Sequence, residues 1–339
     1  MARTERISLA QGSGGEPMQR LLRELIWPVF ANPILARQED QARLAFELQP
    51  GEQLAFTTDS FVVTPLQFPG GDIGSLAVQG TLNDLAVGGA VARYLSCGLI
   101  IEEGLPVALL RDLCLSLAKT ARDAGVQVVT GDTKVVPRGA ADGLFINTSG
   151  LGIIPAGINI GTHRLAAGDS LVVSGPIGEH GAAILASRQE LAITGDLRSD
   201  CANLSPLIQT LLPNAGLHAL RDMTRGGLNA VLHEFAEAAG ATAVIDESAV
   251  PVRPAVQGLC ELLGLDPLQL ACEGRLLAVV APDHAEHLLQ CLQAHPMGQG
   301  AAIIGRLTPK RNVPVILNGL YGIERALPPV SGELLPRIC

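Results

Sequence analysis

The chain has 339 residues, a formal net charge of −9, 47% hydrophobic residues and 17% charged residues. That length suits two domains with separate cores, and the composition excludes a disordered chain. The acidic balance, with no basic run, excludes nucleic acid as the main partner. Aromatic residues make up only 3%, so the cores must be built from Leu, Val, Ile and Ala. The seven cysteines are odd in number and form no C-x-x-C pair, which argues against a disulfide framework or a zinc site. Cys114, Cys260 and Cys291 fall in apolar helical patterns, as small buried side chains do. No signal-peptide core and no apolar run of membrane length is present, so a reduced, cytoplasmic protein without membrane contact is expected.

Residues 1–40 open with a Gly-rich stretch followed by an apolar helical pattern at Met18, Leu21, Leu22, Leu25 and Ile26. Gly12, Ser13, Gly14 and Gly15 could bring backbone amides close to an anion, or form a flexible arm; no G-K-[ST] follows, so this is not a Walker loop. Residues 53–64 form a strand interrupted at Asp59-Ser60, where a carboxylate needs a strand end or a partner. Residues 75–91 form a small-residue helix with the polar pair Asn83-Asp84 near its middle. The next helix, 106–124, carries Leu109, Leu110, Leu113 and Leu117 on one face and ends at Gly125.

Residues 126–136 form a β run expected to break at Gly131-Asp132-Thr133-Lys134. A carboxylate and an ammonium at a bend suit a phosphate–metal site, or a polar hairpin turn with a solvated Lys. The strand 144–154 closes a first domain spanning 41–160. A second domain, 161–317, follows with strand, Gly-rich turn and helix over 170–188 and an exposed insertion over 189–202. In 219–240, Asp222, Thr224 and Arg225 stand at a strand-to-helix turn whose amides favour anions, ahead of a helix burying Leu228, Val231, Leu232 and Phe235. Cys272-Glu273-Gly274-Arg275 precedes a further strand. Both halves alternate strands and helices, so the class is α/β or α+β.

Residues 318–339 are expected to form a flexible tail, held extended by Pro328, Pro329 and Pro336. Fully stretched, it would reach roughly 70 Å. It ends on Cys339, which is either a frayed terminus or a thiol on a tether. Prenylation would need Cys where Pro336 stands. Asp59, Asp84 and Asp132, each at a break in an apolar run, fit the preference of Mg²⁺ for a few carboxylates together with nucleotide phosphates.

Gly12–Gly15, Thr58-Asp59-Ser60, residues 80–86, Gly131–Lys134, Asp222–Gly227 and the closing Pro336-Arg337-Ile338-Cys339 together resemble the HypE family of [NiFe]-hydrogenase maturation proteins. That family lies within the aminoimidazole ribonucleotide synthetase and selenophosphate synthetase group, and the resemblance covers nearly the whole chain. The closing Pro-Arg-Ile-Cys is its most specific part. The resemblance implies a two-domain α/β fold of the aminoimidazole ribonucleotide synthetase type and a homodimer formed through the first domain's sheet. It also implies ATP near the inter-subunit cleft. Cys339 would receive a carbamoyl group from the carbamoyltransferase HypF. ATP-dependent dehydration to a thiocyanate would follow, and the cyano group would pass to iron on the HypC–HypD complex. Asp59, Asp84 and Asp132 would hold Mg²⁺ and phosphate, with Asn83 and the 12–15 loop assisting. Lys134 would neutralise phosphate charge, and Glu273 would take a proton from the carboxamide.

The sequence departs from that pattern at Gln11, where the family has His, and at Cys272, where Asn is common. Two other functions stay open: an enzyme of the same group that phosphorylates a small amide or selenide, and a carrier without catalysis. The nucleotide-site acids speak against the carrier, and the closing Cys against the small-molecule enzyme.

Overall fold

The computed structural model describes residues 5–189, 196–331 and 337–339. The first domain is a four-stranded sheet in the order β1-β6-β4-β5: β1 (Gln53–Phe61), β4 (Val91–Glu102), β5 (Gln127–Val136) and β6 (Leu144–Ile154). A two-residue hairpin, β2 (Gln67–Phe68) with β3 (Gly71–Asp72), leads into the helix α3 (Ile73–Val87). The short helices α1 (Glu16–Leu21) and α2 (Trp27–Val29) precede the sheet, and α4 (Val107–Asp123) packs beside α3.

Strand periodicity sorts the side chains of β1. Thr57, Asp59 and Phe61 turn inward, whereas Leu54, Phe56, Thr58 and Ser60 face solvent. Asp72 starts α3 by accepting from the Ser75 amide at 2.9 Å, while the Ser75 hydroxyl accepts in return from the Asp72 amide. Ile73, Leu76, Ala77 and Val78 of α3 are fully buried beneath the sheet, and Ala86 near its end belongs to the second domain's core. A helix apolar on all sides is one covered on all sides, and α3 is the layer between the two domains.

The second domain holds a seven-stranded sheet in the order β13-β12-β9-β11-β7-β10-β8. Its strands are β7 (Ser170–Val173), β8 (Leu217–Asp222), β9 (Ala241–Asp246), β10 (Leu276–Val280), β11 (Ala302–Pro309), β12 (Val315–Asn318) and β13 (Glu324–Ala326). The helices α5 (Glu179–Arg188), α6 (Ser205–Leu211), α7 (Gly227–Ala239), α8 (Pro254–Leu263) and α9 (Ala285–Ala294) pack around it. Leu228, Val231, Leu232 and Phe235 of α7 are buried as their spacing requires. Among the described residues no helix is long and apolar enough to cross a membrane, and all seven cysteines are free thiols.

Four expectations change. β1 runs unbroken through Asp59-Ser60, because Asp59 alternates inward beside α3 and needs no interruption. β5 also runs unbroken through Gly131–Lys134: Gly131 lets the strand approach β4, where a Cβ would lie 2.2 Å from the Cys97 carbonyl oxygen. Of the expected insertion, 190–195 lie outside the described residues, and Asp200 folds into the interior with its side chain only 1% exposed. The tail expected from 318 onward instead adds β13 to the sheet and buries Leu327. Its last three residues are fixed to the first domain. Residues 332–336, with Pro336 of the closing motif, lie outside the described residues.

Candidate active site

Inward alternation on β1 sets Thr57 and Asp59 against α3, and the Thr57 hydroxyl donates to Asp84 Oδ2 at 3.0 Å. Gly80 supports this approach, since a side chain there would meet the Phe61 ring at 2.9 Å. Facing these acids, the second domain contributes Asp222 at the end of β8, Arg225 in the turn before α7, and Glu273 ahead of β10. Gly274 has no room for a Cβ, which would stand 1.8 Å from the Asp200 carbonyl oxygen. That contact clamps the Glu273 segment to the 199–202 segment, and the Glu273 amide donates to Asp200 Oδ1 at 3.0 Å.

The acids crowd one another. Burial raises the pKa of Asp59, and it raises that of Asp84, which the charge on Asp59 raises further. Asp222 is pushed up to about 7 by burial and then by Asp84. Glu273 is 2% exposed and its Oε1 has no hydrogen-bond partner. Burial, with Asp222, Asp200, Asp59 and Asp84 around it, holds its carboxyl well above the ordinary range. A cleft of about 450 Å³ opens here between the domains, lined by Thr57, Asp84, Gly161, Arg221 and Asp222 among others.

A stability prediction follows from Asp222. A carboxyl with a raised folded pKa stabilises the fold below its unfolded pKa and loses that contribution as pH rises through the folded value. Between pH 4 and pH 8 the loss at Asp222 is about 4 kcal/mol. Asp222→Asn is therefore expected to match the parent's Tm at pH 4 and exceed it by several degrees at pH 8, measured by thermal denaturation without ligands.

Cys339 packs against the first domain's core beside these acids. The Val62 amide donates to its main-chain oxygen at 2.9 Å, and Ile338 is buried in the first domain's core. Burial pushes the thiol's pKa up. The next largest influence is the charge on Glu273, and Arg225 pulls the other way, so the sulfur lies within the electrostatic reach of both.

The expected site residues thus fall into two groups. Asp59, Asp84, Glu273 and Cys339 lie within electrostatic reach of one another where the two domains meet, with Asp84 lining the cleft. Asp132 and Lys134 lie on the far edge strand, three strand spacings from β1, about 14 Å across the sheet. Both are about two-thirds exposed, and they pair with each other at 3.2 Å. The 12–15 loop lies beside them, with Gly12 packed on Val135. The Gln11 side chain turns back to accept from the Ser8 amide at 2.7 Å, which closes this turn.

Asp59, Asp84 and Asp132 therefore do not form one metal trio within the chain, and among the described residues no three His, Cys, Asp or Glu side chains gather as a metal-binding cluster. Asn83 is occupied structurally. Its amide donates to the carbonyls of Ala202 and Glu273, and its oxygen accepts from the Leu204 amide at 2.7 Å. Cys272 is buried beneath Glu273, its sulfur accepting from the Gly178 amide at 3.1 Å. Asp200 and Asp222 complete the acidic cluster. Asp222 and Arg225 carried a sequence signal, the D-x-T-R-G-G turn, whereas Asp200 carried none.

Comparison with known proteins completes the description. The AIR synthase related protein N-terminal domain family matches residues 38–154, and the corresponding C-terminal domain family matches 166–318. Carbamoyl dehydratase HypE of Escherichia coli K12 is 56% identical over 98% of this chain and 99% of that protein. The Rhodobacter capsulatus carbamoyl dehydratase HypE is 51% identical over 99% of each. The chain belongs to the HypE family. The E. coli HypE crystal structure superposes with a TM-score of 0.92, at 56% identity over 95% of this chain and 100% of that one. A HypE structure in complex with ATP has a TM-score of 0.91, at 44% identity over 98% of this chain and 99% of the other. HypE from a HypE–HypF complex has a TM-score of 0.79, at 41% identity over 91% and 99%. The two-domain fold expected for the HypE family is the one observed.

Proposed function

We propose that this HypE-family chain is an ATP-dependent carbamoyl dehydratase that converts an S-carboxamide on its own Cys339 into a thiocyanate, the source of the cyanide ligand of [NiFe]-hydrogenase iron. The observation that carries this reading is the docked end of the chain, with the Cys339 oxygen held by the Val62 amide, Ile338 buried, and the sulfur within the field of Glu273 and Asp59 where the domains meet. Relatives named carbamoyl dehydratase HypE, and HypE structures solved with ATP and with HypF, support it.

The chemistry is as follows. An amide oxygen is a poor leaving group. Transfer of the γ-phosphoryl group of ATP to that oxygen, with loss of one N–H proton, gives an S-linked imidoyl phosphate and ADP. Removal of the second N–H proton and departure of phosphate leaves S–C≡N. Glu273 is the base of this elimination: burial makes its carboxylate a stronger proton acceptor than an exposed one. The nucleotide requires cations, and two adjacent carboxylates whose ionisation is disfavoured suit a Mg²⁺ that also binds phosphates and water. Asp59 and Asp84 would hold it, and the ion would neutralise phosphate charge.

Asp132 and Lys134 join the site through a homodimer. The solvent face of the first sheet carries Leu54 at 50%, Phe56 at 68% and Ile100 at 40% exposure, on the side from which Asp132 and Lys134 project. A second copy covering this face buries the apolar residues and places Asp132 and Lys134 at an inter-subunit nucleotide site. HypF supplies the carbamoyl group, the HypC–HypD complex accepts the cyano group, and the reducing cytoplasm keeps Cys339 a thiol. Asp84→Asn tests the nucleotide reading. ATP turnover is expected to fall about a hundredfold or more with Tm unchanged or raised. Loss of turnover only in step with loss of fold would overturn the assignment.

A further inference from the structure

The carbonyls of the last three residues point alternately to two walls. On one side the Val62 amide donates to the Cys339 oxygen at 2.9 Å and the Thr64 amide to the Arg337 oxygen at 3.3 Å. This is a short antiparallel pairing that adds the end of the chain to the segment after β1. The carbonyl between them, that of Ile338, faces the second domain, where His180 Nε2 meets it at 2.7 Å.

His180 is fully buried on α5, with its ring edge-on to Phe68 at a centroid distance of 5.5 Å. A carbonyl only accepts, so Nε2 carries the proton. Nδ1 of the neutral ring then accepts from the Ser199 hydroxyl at 2.8 Å. The Ser199 oxygen in turn accepts from the Cys201 amide at 3.0 Å. Burial holds the ring neutral, with a pKa lowered to about 4, so this arrangement persists at physiological pH. Arg188, one turn or more further along α5, donates to the Thr64 and Arg337 carbonyls. The latch is thus assembled from both domains.

We propose that His180 is the latch that holds the carrier thiol in the cleft: a positioning residue that grips the peptide carbonyl preceding Cys339 and sets how long the sulfur stays docked. The proposal deepens the reading of Cys339 as carrier and rests on it. A carrier must leave to be loaded and return to be dehydrated. A single buried hydrogen bond at the penultimate carbonyl acts on the backbone, so it holds loaded and unloaded sulfur alike. Ser199 fixes the ring tautomer and therefore the direction of the grip.

The test measures alkylation of the full-length chain by iodoacetamide at one pH, with Cys339, Cys114 and Cys97 followed separately by peptide mass spectrometry. His180→Leu is expected to alkylate Cys339 about tenfold faster than the parent, as loss of one buried hydrogen bond predicts. Cys114 and Cys97, buried in the first domain's core, should be unchanged. His180→Gln, whose side-chain amide can donate from the place of Nε2, should stay within about threefold of the parent. Ser199→Ala should fall between the two, and it carries the test if His180→Leu does not fold.

Parental rates at Cys339 in both His180→Leu and Ser199→Ala overturn the proposal, as does a parallel rise at Cys114 and Cys97. In a second arm, a carbamoylated His180→Leu chain should lose water on ATP addition more slowly than the parent, with carbamoyl uptake from HypF undiminished. If the parent itself never loses water, the dehydratase reading fails, while the alkylation rates still decide the latch.

Discussion

Cys339→Ala is expected to abolish carbamoyl acceptance completely while the two domains fold as before. The sulfur is the group that forms the new bond, and no neighbouring nucleophile replaces it. Cys201 and Cys272 lie close to Glu273, but both are held as thiols by burial and by surrounding carboxylates. A thiol that keeps its proton is a poor nucleophile. Cys339 shares that environment only while docked. Once the segment leaves the cleft, the carboxylates and the desolvation that raise its pKa are left behind. On the proposed function, loading by HypF would therefore belong to the undocked state and dehydration to the docked one. Intact mass after incubation with HypF, carbamoyl phosphate and ATP checks this: the Ala variant should gain nothing, with far-UV circular dichroism and Tm at parental values. A carbamoyl mass on the variant would place the carrier elsewhere.

Glu273→Gln is expected to accept the carbamoyl group normally and then stall. Removing a general base slows such steps about 10²–10⁴-fold, so the carboxamide form should accumulate in the presence of ATP. Stability moves the other way. The raised pKa of Glu273 stabilises the fold at low pH and withdraws that contribution as pH rises through the folded value. A neutral amide avoids the loss, so Tm of Glu273→Gln should equal the parent's in acid and match or exceed it in alkali. Slower dehydration in a chain at least as stable separates chemistry from folding. An unstable variant with parental dehydration would make Glu273 a structural residue.

Much of this arrangement was legible in the residues. Leu110, Leu113 and Leu117 at helical spacing specified the buried face of α4, and Gly125, at φ +71°, ended it where only a left-handed residue can. Asp59 and Asp84 stood out because a carboxylate inside an apolar run needs a reason, Glu273 entered through the family resemblance, and the three influence one another where the domains meet. The misreadings share a cause. Gly131 looked like a bend because glycine marks turns, but there it admits a neighbouring strand, a fact held by Cys97 some thirty positions away. Asn83 was given a ligand role by the family resemblance, whereas its place in a small-residue helix said only that a polar side chain there demands a partner. Its partners are the Ala202 and Glu273 carbonyls and the Leu204 amide, remote in sequence. The end of the chain looked free because proline-rich segments lack helix and sheet patterns. Its anchors are backbone amides at Val62 and Thr64 and the His180 ring, and none of these leaves a mark on the tail's own sequence.

The separation of Asp132 and Lys134 from the other acids also has a physical reading. A strand has two faces, and these residues occupy the one turned away from α3, along with Phe56 and Ile100. The chain by itself has no surface to bring them to the cleft. In the homodimer proposed above, a second copy would supply one.

The most direct test of the whole account is a two-stage mass measurement. The chain is first carbamoylated by HypF and freed of HypF and nucleotide, and ATP with Mg²⁺ is then added to the isolated chain. The account predicts that the peptide ending in Cys339 gains one carbamoyl mass in the first stage and loses one water mass in the second, with ADP and phosphate formed in equal amounts. A carbamoylated peptide whose mass does not change while ATP is present, or is hydrolysed back to the free thiol, would contradict it.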